Sequence, residues 1–383
     1  MTEVLIHDSG RSGKLGWAAR MLQEGQVVGF VASPWESPPT TQPRRPSARE
    51  IVTSLMDIGG TVLFDPETYG VFVQGANQRA TYDSWGLWPN GQPSKDRPAI
   101  LAHVDRVAEV QHELGVPFLA PGLCLESPVG LDADRTLEAF DRMRSVIGGG
   151  GWTASVVGTP AFWSAGPELD AFVGQIATMK PERCLLAVLR ASGRYPWTDL
   201  TPEEVTGVCR TATSLSLHMP VVAGRSDFAG LPAVAAGAAS IGTGWDLKQR
   251  VLSGDLFRAD PGIRRQSQRV SHSGLLASLK RREAEQLRAG DASLSTALVP
   301  GPLPIDFNGH WRHHLAVLAN AARVVGSQAT ARDRVRSLAA SYKDAADAFA
   351  VVARHARPLE ASASQWIEPL AQGLREYAES EGL

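Results

Sequence analysis

Carboxylates and arginines recur in this sequence directly after short apolar runs. The acids that stand out are Asp65 in "TVLFDPE", Asp227 in "VVAGRSD" and Asp246 in "SIGTGWD". Arg225 precedes Asp227, and Arg190 follows another run, "CLLAVLRA". Acids that lie near arginines and near one another can have their pKa values moved in opposite directions, which acid–base and nucleophilic catalysis both need. These three acids are the candidate catalytic residues; the alternative is that they cap helices or pair with arginines.

The apolar runs themselves predict the fold. Eight of them precede residue 250, at 4–9, 27–33, 61–66, 117–123, 154–160, 184–191, 220–226 and 239–245. Each is followed by a polar or glycine-rich break and then by helical periodicity, and their near-continuous Val, Ile, Leu and Ala content is typical of parallel strands. We therefore predict a (β/α)8 TIM barrel, with an open doubly wound sheet as the alternative.

The predicted barrel covers residues 1–256 and includes a long loop at 67–97. Residues 257–383, from "HSGLLASLKRREAEQLRAG" onward, show amphipathic helical patterns and no further strands, which predicts a helical subdomain. The long loop carries Tyr69, Tyr82, Trp85 and Trp88. Such aromatic side chains either cover a ligand at the barrel mouth or pack on themselves.

In a barrel, the residues that follow each strand share one mouth. Besides the catalytic candidates, Ser33, Trp35, Glu36, Glu67 and Thr159 stand at such positions. The substrate-binding candidates are Asp8, Tyr69, Glu126, Arg190, Gly224, Arg225, Gly242, Thr243, Gly244 and Trp245. The glycines let the backbone approach a ligand or another strand, and the seventh and eighth loops of many barrels hold phosphate with backbone N–H groups. Ordinary tight turns are the alternative reason for glycine.

The overall charge argues against a protein that binds polyanions over its whole surface. The formal net charge is −2, so a nucleic-acid surface would have to be local. Between Arg250 and Arg282 there are eight basic residues against two acidic ones. The candidates for phosphate contacts are Arg250, Arg258, Arg264, Arg265 and Arg269. The alternative is a solvated helix face.

Cysteine and histidine usage indicates neither a disulfide framework nor a metal site. The three cysteines are far apart, which favours a reducing compartment. His310 and His314 are four residues apart, a spacing that suits metal ligation, but no third ligand stands near them. No metal and no cofactor is predicted. With no signal segment and no apolar run of about 18 residues, we expect a cytoplasmic protein without a membrane partner.

Two stretches resemble the tRNA-guanine transglycosylase family. "TVLFDPETYGVF" resembles a strand of that family with an Asp followed by small residues and an aromatic, and "MPVVAGRSDFAGLPAVAAGAASIGTGWDLKQRVLSGDLF" is similar to its last two barrel units. Arg250, Gly254 and Phe257 fall in step with the family pattern, and the likeness covers about 60–75 and 218–325. The resemblance implies an N-glycosidic or base-exchanging enzyme acting on a nucleoside, nucleotide or nucleic acid. Asp65 would then bind the base, and Asp246 would attack.

The sequence also departs from that family. The family holds a structural zinc with three cysteines and a histidine after the barrel, whereas no cysteine follows Cys209. Gly242 and Gly244 stand where the family has its nucleophilic Asp, so only Asp246, displaced by two residues, is available. Two alternatives follow. One is a catalytically degenerate barrel that binds nucleic acid or partner proteins within a larger complex; the other is a phosphate-binding barrel lyase or isomerase.

Overall fold

The protein is described from a computed structural model. It covers residues 3–7, 14–43, 45–77, 80–193, 195, 197, 199–258, 268–299, 301–360 and 362–383. Asp8, Arg264 and Arg265, which the sequence singled out, lie outside these ranges.

Nine parallel strands in the described ranges form one curled sheet. They are β1 Glu3–His7, β2 Gly29–Ala32, β3 Thr61–Phe64, β4 Phe118–Ala120, β5 Cys124–Leu125, β6 Trp152–Gly158, β7 Arg183–Val188, β8 Val221–Ala223 and β9 Ser240–Thr243. The hydrogen-bonded order is β3-β2-β1-β9-β8-β7-β6-β4, and β5 also pairs with β6. Because β4 and β5 pair with the same strand, they occupy one position, which leaves eight positions around the barrel. The predicted TIM barrel is confirmed, and each predicted run overlaps a strand.

Helices follow the strands and cover the sheet. They are α1 Lys14–Gln23, α2 Ala48–Met56, α3 Thr68–Val71, α4 Ala80–Asp83, α5 Arg97–Leu114, α6 Leu131–Val146, α7 Pro160–Trp163, α8 Pro167–Met179, α9 Pro202–Ser216 and α10 Leu231–Ala235. Both α8 and α9 begin with proline, whose fixed φ suits the first helical turn. Helix α5 ends at Gly115, whose φ of 73° is easily reached only by glycine.

A side chain bridges the seam between β3 and β4, the two ends of the hydrogen-bonded order. The Gln111 side chain of α5 donates from Nε2 to the carbonyl oxygens of Phe64 and Leu119, at 2.9 and 3.0 Å. Its Oε1 accepts from the Leu119 N–H at 3.1 Å. Gln111 is fully buried, so its amide replaces ladder bonds that water could not satisfy there.

The C-terminal region contains a hairpin that the sequence did not predict. Strands β10 Arg269–His272 and β11 Ala277–Lys280 pair antiparallel, and only then does α11 begin. The expectation of helices alone after residue 256 was wrong here, because the chain reverses through a turn that ends at Leu276 with φ 46°. The helices are α11 Arg281–Gly290, α12 Ala292–Leu298, α13 Phe307–Gly326, α14 Ala331–His355, α15 Ser362–Gln365 and α16 Ile367–Glu381.

These helices pack on the barrel. Helix α16 lies along α9, where Thr206 Oγ1 donates to the Gly373 carbonyl at 3.1 Å. A Cβ at Gly373 would lie 2.6 Å from the Pro202 carbonyl oxygen, so glycine permits this close approach. The Arg334 side chain of α14 reaches the end of α10 and donates from Nε to the Ala235 carbonyl at 3.0 Å. None of the helices in the described ranges is long and apolar enough to cross a membrane.

Candidate functional site

The carboxyl ends of four strands bring together a group of buried polar side chains, which we call the mouth cluster. These strands are β1, β2, β3 and β8. The cluster consists of His7, Ser33, Asp65, Glu67, Tyr69 and Arg225. Every member is at most 5% exposed. Because parallel strands end at the same side of a barrel, residues far apart in sequence meet here.

An ion pair spans the mouth. Arg225, after β8, donates from Nη2 to Oε1 of Glu67, which follows β3. The second carboxylate oxygen of Glu67 accepts from the Ser33 hydroxyl at 2.5 Å. Strands β3 and β8 are not neighbours in the sheet, so this contact joins separate parts of the rim. Glu67 is thereby held in place by two donors.

Asp65 is the member best placed for proton transfer. Its Oδ1 accepts from the Glu67 N–H at 2.9 Å, and its Oδ2 accepts from the Tyr69 hydroxyl at 3.0 Å. Burial and the negative charge of Glu67 raise the pKa of Asp65 to about 7, although these hydrogen bonds and Arg225 act in the opposite direction. A carboxyl group with a pKa near neutrality can give or take a proton at physiological pH.

Two side-chain nitrogens of Arg225 make no hydrogen bond to any described residue. Its Nε and Nη1 are buried and have no hydrogen-bond partner within the described ranges. Burial acts to lower the pKa of Arg225, but Glu67, Tyr69 and Glu36 outweigh it and raise that pKa, so the side chain stays charged. An unsatisfied buried donor is unfavourable by about 1–3 kcal/mol, and by more for a charged group. An oxygen-bearing anion would satisfy these N–H groups.

His7 adds a neutral donor beside Arg225. Burial, followed by the charge of Arg225, lowers the pKa of His7 well below its ordinary value. Its Nε2 accepts from the Arg225 backbone N–H at 3.3 Å, which places the ring proton on Nδ1. Nδ1 is buried and has no partner among the described residues.

A partly open cavity of about 50 Å³ adjoins Arg225, between β7 and β8 on one side and α9 and α10 on the other. Its lining is mostly apolar, with the indole rings of Trp163 and Trp197 on the wall. Arg190 and Glu204 also line it and form a buried ion pair with each other, with a second contact from Nη1 to Oε2 at 3.4 Å. A cavity of this size holds about three or four water-sized atoms.

A second group of buried polar residues lies beside the first, and we call it the anchor cluster. It consists of Tyr195, Asp227, Thr243, Arg250, Ser271, Ser278 and His314. Asp227 Oδ2 accepts from Thr243 Oγ1 at 2.5 Å and from His314 Nε2 at 2.8 Å. His314 Nδ1 then accepts from the Ser271 hydroxyl at 2.8 Å. The cluster thus joins the loop after β8 to α13 and the β10–β11 hairpin.

Asp227, one of the predicted catalytic acids, lies at the centre of the anchor cluster. Burial acts to raise the pKa of Asp227, but His314, Arg250 and Thr243 outweigh it and lower that pKa to about 2. Burial, with Arg250, lowers the pKa of His314 to about 4. Asp227 is fully buried, and its remaining oxygen accepts from the Phe228 N–H at 2.8 Å. An acid so fully bonded fixes structure rather than attacking a substrate.

Asp246, the other predicted nucleophile, is also engaged. Its carboxylate accepts from Lys14 Nζ at 2.8 Å, and its backbone N–H donates to Gln249 Oε1 at 3.3 Å. It begins the short 3₁₀ helix Leu247–Gln249, which is the helix-capping alternative raised by the sequence. The bonds described for Asp246 lead to these residues and not to the mouth cluster.

Gly242, in β9, and Gly244 and Trp245, which follow it, lie against other parts of the chain. A Cβ at Gly242 would lie 2.4 Å from His7 Nε2, and one at Gly244 would lie 2.2 Å from Gln249 Cβ. Trp245 is buried and packs against both Trp17 and Trp311, with ring centroids 6.2 and 6.1 Å away. The expected approach is therefore to other segments of this protein.

Of the arginines predicted to contact nucleic acid, the three that lie in the described ranges do not form one surface. Arg250 and Arg269 are buried; Arg269 pairs with Glu360, and Arg250 donates from Nε to the Gly244 carbonyl at 3.3 Å. Arg258 lies near the surface and donates to the Gln74 carbonyl at 2.9 Å.

The remaining predicted residues lie apart from one another. Glu126 is exposed after β5, whereas Gly224 lines the cavity. The aromatics of the long loop are buried, and Trp88 Nε1 donates to the Tyr82 hydroxyl at 2.9 Å. Their rings also pack on residues outside the loop, namely Trp35, Phe64, His103 and Phe257. His310 Nδ1 bonds to the Arg269 carbonyl at 2.8 Å. In the ranges described, no three His, Cys, Asp or Glu side chains are grouped to hold a metal ion.

Two residues of the site were not singled out from the sequence. His7 is the last residue of β1, and a polar residue at the end of a buried strand is the signal that could have found it. Glu204 stands in "TPEEV", where an acid in the first helical turn is explained by the helix dipole, so its pairing with Arg190 gave no signal.

The molecule is thus a TIM barrel with a C-terminal helical region and a charged mouth. Neither a protein-family model nor a curated protein matches the sequence. A solved structure described as L-ribulose 3-epimerase is 13% identical, with a TM-score of 0.40 over 88% of this chain and 98% of that one. Active domain 2 of a chitinase from Pyrococcus furiosus is 11% identical, with a TM-score of 0.36 over 64% and 84%. Neither likeness is close enough to bear on the chemistry of the mouth cluster.

Proposed function

We propose that the protein is a TIM-barrel enzyme that transfers a proton on a small substrate carrying an anionic oxygen. This is the chemistry of the barrel lyases and isomerases, and the mouth cluster is its active site. The proposal rests on Arg225. Its buried Nε and Nη1 have no partner among the described residues, and its positive charge acts on the pKa of Asp65.

Each member of the cluster has a distinct part in this chemistry. Arg225, held by Glu67, binds the substrate oxygen and stabilises the negative charge that develops on it. Asp65 takes or gives the proton, and the Tyr69 hydroxyl orients it. His7 supplies a further neutral donor through Nδ1. Proton transfer by a positioned group contributes about 10²–10⁴-fold to a rate.

The experiment is proton exchange in deuterium oxide. Small 2-oxo and 2-hydroxy carboxylic acids and their phosphorylated counterparts are incubated with the protein, and exchange at carbon is followed by NMR. We expect exchange with at least one acid and its loss in Asp65→Asn, because the amide keeps the volume but cannot hold the proton. Asp246→Asn is the matched control and should exchange normally. Equal loss in both variants, or no exchange with any compound, would count against the proposal.

The transglycosylase resemblance stays a prediction. Base exchange requires a carboxylate free to attack an anomeric carbon. Asp227 and Asp246 are bonded within the protein, so Asp65 or Glu67 would have to serve. Because Glu67 is held by Arg225 and Ser33, Asp65 is the better placed of the two.

A further inference from the structure

The cavity beside Arg225 is built for an apolar group. Leu186 and Val188 of β7 form one wall, and Val205 and Val208 of α9 form the opposite one. Trp163 adds an aromatic surface. Water held against such a lining would make few hydrogen bonds, so an apolar part of a ligand is favoured there.

Three charged residues line the cavity, and Arg225 differs from the other two in having unbonded donors within the described ranges. Arg190 and Glu204 satisfy each other through a two-point ion pair. Arg225 donates to Glu67 from Nη2. Its Nε and Nη1 are buried and have no partner in the described part of the chain. Arg225 is thus a lining residue of this mostly apolar cavity that carries charged N–H groups without a partner among the described residues.

The local charge favours a monoanion over a dianion. Glu67 already balances the charge of Arg225, and Arg190 balances that of Glu204. Asp65 is a further acid beside Glu67. A phosphate dianion would be repelled by these carboxylates, whereas a carboxylate adds a single charge. The cavity volume of about 50 Å³ suits a body of about three or four carbon atoms.

We propose that this cavity binds the branched aliphatic body of a short-chain monocarboxylate whose carboxylate is held by Arg225. The inference deepens the proposed function, on which it rests, by naming the substrate class. It assigns specificity to the walls formed by α9 and β7 and recognition of the charge to Arg225.

Binding is measured by titration calorimetry with isovalerate and isobutyrate as probes. Isobutyramide has the same shape without the charge, acetate has the charge without the body, and inorganic phosphate tests the dianion. We expect isovalerate to bind at least about tenfold more tightly than the amide, acetate or phosphate. Equal binding of the amide, tighter binding of phosphate or acetate, or no isovalerate binding up to about 10 mM would overturn the proposal.

Two variants locate the site. Val208→Phe fills the cavity and should weaken isovalerate binding about tenfold or more, with acetate binding unchanged. Val324→Phe, on an exposed part of α13, is the matched control and should bind normally. Arg225→Lys keeps a cation for Glu67 but removes the open donors, so it should fold and lose isovalerate binding. Normal isovalerate binding by either cavity variant, with folding verified by circular dichroism, would exclude this site.

The result is separable from the test of the proposed function. The two tests use different residues, because Val208 is not in the mouth cluster and Asp65 is not part of the cavity lining. If isovalerate binds but no acid exchanges its proton, the binding-site proposal is supported and the proposed proton-transfer activity is contradicted. Exchange on acids that do not compete with isovalerate would leave the enzyme standing and remove the cavity assignment.

Discussion

The mouth cluster and the anchor cluster each take a residue from the loop after β8, and these two residues are two positions apart. Arg225 belongs to the first and Asp227 to the second, and both have positive φ, at 44° and 50°. A non-glycine residue in this region is strained and persists where surrounding contacts hold it. The contacts differ: Asp227 has donors on both carboxylate oxygens, whereas Arg225 has two nitrogens without partners among the described residues.

Two buried aspartates show what this difference does. Asp65 and Asp227 are the same residue type and are both fully enclosed, yet the pKa of Asp65 is raised to about 7 and that of Asp227 is lowered to about 2. The reason is the neighbours, since Glu67 repels the charge of Asp65 while His314, Arg250 and Thr243 stabilise that of Asp227. A satisfied network fixes structure, and an incompletely satisfied one is the better candidate for function.

The largest effect on stability is expected for Asp227→Asn. Asparagine tolerates positive φ, so the change tests the hydrogen bonds rather than the backbone. It removes the charge that His314 and Arg250 face, and we expect a loss of about 3–5 kcal/mol in the free energy of unfolding. Denaturant unfolding at pH 7 measures it. A loss below about 1 kcal/mol would mean that the anchor cluster is no more structural than the mouth cluster.

Changing Asp65 to Asn should raise the free energy of unfolding near neutral pH, whereas Asp227→Asn should lower it. The pKa of Asp65 is about 7 in the folded protein and 3.8 without the fold, so the folded state binds more protons between these values. Stability from Asp65 is therefore full below about pH 4 and is lost as the pH rises through 7, by an amount on the order of 4 kcal/mol. Asp65→Asn should gain stability over the parent protein as the pH rises from 4 to 8.

The lowered pKa of His314 gives the contrasting pH dependence in the anchor cluster. His314 titrates near 4 in the folded protein instead of 6.5. The stability that it contributes is present above 6.5 and is lost as the pH falls through 4. Between pH 4 and 6.5 the contributions of His314 and Asp65 to stability change in opposite directions. The contribution of Asp65 is therefore obtained by subtracting the free energy of unfolding of the parent protein from that of Asp65→Asn at each pH. A difference that is constant between pH 4 and 8 would contradict the raised pKa.

The sequence predicted the features of the two clusters and their barrel that depend on local pattern. Each barrel run was found because Val, Ile and Leu dominate it, and α5 and α8 begin and end where their periodicity does. The convergence of Asp65 and Arg225 followed from barrel geometry. The hairpin at β10 and β11 was missed because its apolar spacing also fits a helix and its turn depends on Leu276. Asp227 and His314 are 87 residues apart, and no local signal links them.

Asp246 offers the smallest effect and a test of the comparison itself. It was a catalytic candidate beside Asp65 and Asp227, but it is partly exposed and bonded to Lys14 at 2.8 Å. Exposed or partly exposed ion pairs contribute about 0–1 kcal/mol, so Asp246→Asn should change the free energy of unfolding by no more than that. It should leave proton exchange intact, since its described bonds do not reach the mouth cluster. A nucleophile in base exchange would behave differently: its loss would abolish turnover on a nucleoside while leaving stability unchanged. Measuring proton exchange, nucleoside turnover and unfolding together on this variant therefore decides whether Asp246 is a functional acid in addition to Asp65.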